Sequence, residues 1–206
     1  MQKSKYPRFV CKSSMEILED YDNDRCYKLT FPISKKGNKN ILVIGRAPKL
    51  CNDFKCDKLI QRVLKYVDSR REEFGDIYKV SVVNLFTVIE YERSSIEYAL
   101  NVRGECFATG NDDLFKLNEV AIRNDDIIKH CIEEADYIIL GWGEVIKEIE
   151  AIYNLRVEYI LKTIRELNSL SVEQRRMYIV GDLTKKGYPR HCFNWNLQDP
   201  LMEFQW

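Results

Sequence analysis

The chain has 206 residues, with 32 basic and 32 acidic side chains, 45% hydrophobic residues and 31% charged ones. This is too apolar for a disordered chain, and the length suffices for one substantial core. Neutrality removes the net positive field that carries nonspecific binding to duplex DNA, and no apolar run approaches the ~20 residues that span a bilayer, so extensive duplex binding and a membrane span are not expected.

Residues 25–33 alternate and carry Tyr, Leu, Thr and Phe, which predicts an edge-like strand. A polar turn follows at 34–40 (SKKGNKN). ILVIG, ended by Gly45, is a continuous branched run of the kind buried on both faces of a sheet, and Pro48 stops any immediate helix. In 57–74, Leu59, Ile60, Val63, Leu64 and Val67 fall at helical spacing, which predicts a crossover helix covering the sheet. Residues 78–86 (YKVSVVNLF) return to a buried strand. The stretch 112–135 reads as one helix or two, with Asn111 or Asp112 as the natural N-cap. YIIL at 137–140 is a third buried strand before Gly141-Trp142-Gly143, 144–167 a long helix, and MYIV at 177–180 a fourth strand ending at Gly181.

Strands alternating with helices are the grammar of a parallel sheet flanked by helices. With no internal repeat or low-complexity linker, residues 1–206 read as a single α/β domain. Seven dispersed cysteines and a polar start with no apolar stretch behind it point to free thiols in a reducing cytoplasm. Cys51 and Cys56 lack a second pair, and adjacent His191 and Cys192 could hardly share one ion, so neither a metal nor a cofactor is expected.

Open α/β sheets bind ligands outside the carboxyl ends of their strands, so four loops become the candidate site. In the first, Arg46 and Lys49 could meet an anion and Asp53 could polarise a water or hydroxyl; the rival is a surface turn with solvated charges. The pattern of a P-loop is absent. In the second, Asn84 offers donor and acceptor to a planar base edge and Phe86 could stack on it, against a turn former and a core ring. In the third, Trp142 offers an apolar wall between two glycines, against a core tryptophan in a turn. The fourth gathers Lys185, Arg190 and His191, a set suited to phosphate or developing negative charge. His130, in a helical run, reads as structural.

Arg46-Ala47-Pro48-Lys49, Asn84-Leu85-Phe86, Gly141-Trp142-Gly143 and Gly187-Tyr188-Pro189-Arg190-His191-Cys192-Phe193 stand in the order of the blocks of an uncharacterised bacterial and phage family, domain of unknown function 1643, which the chain resembles over nearly its whole length. The second and fourth blocks are close to the family pattern. A more distant similarity runs to the uracil-DNA glycosylase architecture. It implies a three-layer sandwich with a mostly parallel central sheet of about four to five strands flanked by helices. It also implies an Asn that reads a base edge, an aromatic that stacks on it, and an Asp that helps water attack the glycosidic bond. At the place of that Asp stands Ala47, and the family's Asn-Pro-Ser-Thr-Ala is also lost.

The first functional reading is therefore binding, including sequestration, of a nucleotide or nucleobase-derived small molecule. In it Asn84 reads an amide edge, Phe86 or Trp142 stacks, and Arg46, Lys185, Arg190 and His191 hold phosphate. The alternative is a hydrolase of an N-glycosidic or phosphoester bond, with His191 as acid or electrostatic stabiliser and Asp53 as water activator. A third reading is a partner-binding protein, a homodimer included, that uses the charged helix 144–167.

Overall fold

Ile41, Leu42, Val43 and Ile44 are all buried. A strand of this composition sends alternate side chains to opposite faces and needs cover on both. The computed structural model of the chain, which describes residues 4–52, 55–91, 95–171 and 174–205, provides it. The strands are β1 (Ser4–Lys5), β2 (Glu16–Asp20), β3 (Arg25–Pro32), β4 (Lys39–Gly45), β5 (Lys55–Cys56), β6 (Ile77–Asn84), β7 (Lys116–Leu117), β8 (Val120–Ala121), β9 (Tyr137–Leu140), β10 (Arg176–Val180) and β11 (Leu201–Glu203). The helices are α1 (Lys58–Ser69), α2 (Arg71–Phe74), α3 (Ser95–Arg103), α4 (Glu105–Thr109), α5 (Asn124–Glu134) and α6 (Glu150–Ser169).

Seven strands form one mixed sheet in the order β11-β10-β9-β4-β6-β3-β2. The inner strands β10, β9, β4 and β6 run parallel to one another. β11, β3 and β2 are joined antiparallel. This corrects the expected mostly parallel sheet of four to five strands: the sheet is wider, and half of its strand pairings are antiparallel. It also corrects the placing of residues 25–33 at an edge, because β3 lies between β6 and β2. The edges are short, charged segments, EILED in β2 and LME in β11, which limits their use as templates for further pairing.

Connections of a single hand that move towards opposite edges lay their helices on opposite faces. The chain steps from β4 to β6 through α1 and α2. Ile41 and Val43 accordingly share a core cluster with Val63, Leu64 and Phe74. It then steps from β6 past β4 to β9, and on to β10, through α3 to α6. Leu42 and Ile44 share the second cluster with Ile96, Ala108, Ile128, Ile132, Tyr153 and Ile160.

Two expected helices begin later than their patterns suggest. Within 112–135, β7 and β8 form a hairpin whose turn residues Asn118 and Glu119 both have positive φ, 49° and 67°, as a tight two-residue turn requires. The helix starts only at Asn124, and Asn111 reaches it across that hairpin, its side-chain oxygen accepting from the Asp125 N–H at 3.0 Å. Before α6, residues 144–146 form a loop and a single 3-10 turn spans Lys147–Ile149. His130 lies on the exposed side of α5, 3.4 Å from Glu134. All seven cysteines are free thiols. Among the described residues no helix is long and apolar enough to cross a membrane.

Candidate functional site

The ladder between β4 and β6 does not stop where the strands do. Leu85 N–H donates to Gly45 O, Phe86 N–H to Arg46 O and Glu90 N–H to Pro48 O, each at 3.0 Å. Buried carbonyls at the end of β6 need partners, since an unmet one costs as much as a lost hydrogen bond. Asn124 Nδ2 from α5 donates to Asn84 O at 3.1 Å, and Arg156 Nε from α6 donates to Leu85 O at 3.0 Å. The third loop is held by Tyr153, whose hydroxyl donates to Gly143 O at 2.7 Å. The fourth is tied to it through Cys192, whose backbone N–H and Sγ–H both donate to Gly141 O at 3.0 Å. Gly143 has φ +80°, and a Cβ there would stand 2.6 Å from His191 Cβ, so this position demands glycine on both grounds.

Between these loops opens a cleft of about 930 Å³. The loop after β4 contributes Arg46 and Lys49, and the loop after β6 contributes Glu90 and Tyr91. The loop after β9 contributes Glu144, Lys147 and Glu148, and the segment after β10 contributes Thr184, Arg190, His191, Phe193 and Asn194. Glu97 of α3 and Asp57 at the start of α1 complete the charged lining. At the floor Glu90, 2% exposed, is held by two cations: Arg46 Nη2 donates to Oε1 at 2.9 Å and Lys49 Nζ to Oε2 at 2.8 Å. Lys49 Nζ also donates to Glu90 O at 2.9 Å. Burial pushes the Glu90 carboxyl up, but the Arg46 charge and the Lys49 hydrogen bond outweigh it and hold the group below the usual carboxylate range. Glu90 is therefore ionised at neutral pH.

His191 precedes a short 3-10 turn, and its Nδ1 accepts from the Phe193 N–H at 3.2 Å. Burial, together with the positive charges of Arg46 and Lys49, lowers its pKa to about 4 against the opposing pull of Glu90. The neutral ring with Nδ1 accepting carries its proton on Nε2. Arg190 is held only loosely, its Nη1 lying 3.7 Å from Asp199 and its Nη2 3.9 Å from Asp182. The floor thus offers fixed donors, the Arg190 arm a cation without a tight partner, and Tyr91 and Phe193, 46% and 53% exposed, offer aromatic rings, that of Phe193 with the Arg62 guanidinium over one face at 5.1 Å.

The structure brings Arg46, Arg190 and His191 of the expected set together, and Lys49 with them. Asn84, Phe86 and Trp142 are buried and do not line the cleft. The Asn84 amide lies against Gly45, where a Cβ would meet its Oδ1 at 2.5 Å. Phe86 packs 6.4 Å from the Tyr153 ring, and Trp142 sits in the same core cluster. Lys185 is exposed in the tight turn Thr184 to Gly187, while Thr184 reaches the cleft. Asp53 lies outside the described residues. Sequence reasoning missed Glu90 and the two exposed aromatics. The signal for Glu90 was a carboxylate directly after Val88-Ile89, just past a buried strand, where an unpaired charge would be costly and a partner is implied.

The family described as "Protein of unknown function (DUF1643)" matches residues 27–192. No curated protein and no solved structure matches the chain.

Proposed function

Starting from the premise that the chain belongs to the DUF1643 family, whose description names no activity, we propose that it binds a nucleotide or nucleobase-derived small molecule in the cleft at the carboxyl ends of β4, β6, β9 and β10. The observation that carries this reading is the convergence of Arg46, Lys49, Arg190 and His191 from separate strand ends into one cavity of about 930 Å³, a size suited to a small ligand. Arg190 and the His191 Nε2–H meet the anionic end of the ligand. Tyr91 and Phe193 take the stacking role, and Asn194 and Thr184 supply donors and acceptors to a base edge. The parallel inner strands with helices packed on both faces support a three-layer, uracil-DNA glycosylase-like reading of the fold.

Binding is favoured over turnover by the state of Glu90 and His191, the proton carriers beside Arg46 and Lys49. A general base works best with a pKa near the operating pH. Glu90 is held low by two cations and His191 lies at about 4, so both are poor bases at neutrality in the free protein. Calorimetric titration with a panel of nucleoside phosphates, cyclic nucleotides and ADP-ribose derivatives tests the reading. A ligand is expected, with affinity lowered at least about tenfold in Arg190→Ala. No heat with any member, or full affinity in Arg190→Ala, refutes it.

One observation favours a second reading, hydrolysis of an N-glycosidic or phosphoester bond: Glu90 restores to the cleft the carboxylate that Ala47 lacks. An anionic substrate would raise the His191 pKa and bring it into working range. Chromatography of nucleotides and modified-base oligonucleotides after incubation with the protein separates the two, since only the hydrolase yields products lost in His191→Ala.

A further inference from the structure

The cleft lining mixes charges of both signs. Arg46, Lys49, Lys147 and Arg190 face Asp57, Glu90, Glu97, Glu144 and Glu148. Two of the four cations are committed to Glu90, at 2.9 and 2.8 Å. The floor triad therefore carries one net positive charge and Arg190 adds a second, while Lys147 is outnumbered by Glu144 and Glu148 of its own loop.

Resting on the nucleotide-binding reading, we infer that the cleft selects ligands with a single phosphoryl group over di- and triphosphates, because Glu90 already occupies Arg46 and Lys49 while Glu97, Glu144 and Glu148 outnumber the two remaining cations, Lys147 and Arg190. A phosphate monoester carries about −1.5 to −2 charge at pH 7, which the triad and Arg190 together balance. Every further phosphoryl group adds about one negative charge and extends the ligand among carboxylates. Among the described residues no three of His, Cys, Asp and Glu stand close enough to hold a metal ion by themselves; a magnesium ion carried in by a polyphosphate needs only one or two carboxylates, so the phosphate ladder is read with and without it. Glu90 is the specificity-determining group at the floor, and Glu144 and Glu148 form the outer part of the same filter.

The test is calorimetric titration at low salt with the 5′-mono-, di- and triphosphate of one nucleoside, chosen as the tightest-binding base of the panel. The parent and the double variant E144Q/E148Q are compared, first with chelator and then with magnesium. Both substitutions are at exposed positions and leave the fold intact, which a thermal melt verifies. In the parent, affinity is expected to fall about 3- to 10-fold with each added phosphate, the size of one screened like-charge contact near a protein surface. In the double variant all three ligands tighten, the triphosphate most. A flat or inverted ladder in the parent, with or without magnesium, overturns the selectivity while leaving nucleotide binding standing. So does a ladder unchanged by the double substitution. Absence of binding by all three and by the whole panel overturns both readings together.

Discussion

Replacing His191 by Asn removes the imidazole from the cleft but keeps a side-chain oxygen that can accept from the Phe193 N–H, since Asn is a favoured residue ahead of a helical turn. The pKa of His191 is lowered from 6.5 to about 4 in the fold. Between those values the unfolded chain binds a proton that the folded chain refuses. Stability is thus fully present above pH 6.5 and is lost as pH falls towards 4. At ~1.4 kcal/mol per pKa unit the whole shift is worth at most about 3 kcal/mol. For a domain of this size that is roughly 6–12 °C in Tm. Glu90 and Glu134, whose pKa values are lowered, also withdraw stability on acidification, but both remain in His191→Asn, so the difference between the two proteins isolates the histidine. Thermal melts of parent and variant every half unit from pH 7 to 4 should diverge below 6.5. With only two histidines in the chain, the imidazole resonance missing from the variant identifies His191 in a parallel NMR titration. Superimposable Tm–pH curves, or a His191 resonance that titrates near 6.5, would refute the argument that burial and the Arg46 and Lys49 charges keep this ring neutral.

Arg25 is fully buried and holds Asp20 at 2.7 Å and Asp112 at 2.9 Å. Arg25→Met leaves a buried carboxylate without its cation and should cost about 3–5 kcal/mol in urea denaturation, part of it recovered by adding Asp20→Asn; a cost below about 1 kcal/mol would contradict this. Phe86→Ala should lose about 3–5 kcal/mol of stability as a core ring. Phe193→Ala should change stability by less than ~0.5 kcal/mol while weakening a bound nucleotide about tenfold; the reverse pattern would exchange their roles. Gly143→Ala should cost about 1–3 kcal/mol, because the new Cβ meets His191 at a backbone φ of +80°, and a chemical-denaturation midpoint equal to the parent's would dismiss the close approach.

The inner strands were legible because apolar runs such as ILVIG and YIIL have no other way to hide their side chains. α1 was legible because Leu59, Ile60, Val63, Leu64 and Val67 share one face. The edge strands β2 and β11 were not, because short charged segments pair through backbone groups that leave no apolar pattern. α3 also escaped, its Ile96 and Ala99 being the only buried side chains in a nine-residue helix. At the site, chain order pointed to the right loops but not to the right atoms. Asn84, Phe86 and Trp142 occupy strand ends, where side chains alternate between cleft and core, and sequence alone does not say which way each faces. The charges of Arg46, Arg190 and His191 were easier to place, since groups of that kind are seldom buried without partners.

The hydrogen bonds that carry the β4–β6 pairing beyond Gly45 and Asn84 give the two loops after these strands the stiffness of the sheet itself. The cost of ordering those backbones is then met during folding, and a ligand entering the cleft has few main-chain torsions left to freeze. Arg190, with its long contacts to Asp182 and Asp199, is held less tightly than Arg46 and Lys49. Rigid-body docking into the cleft, with the Arg190 and Lys147 side chains allowed to turn, is accordingly a sound way to rank candidate probes for the proposed site.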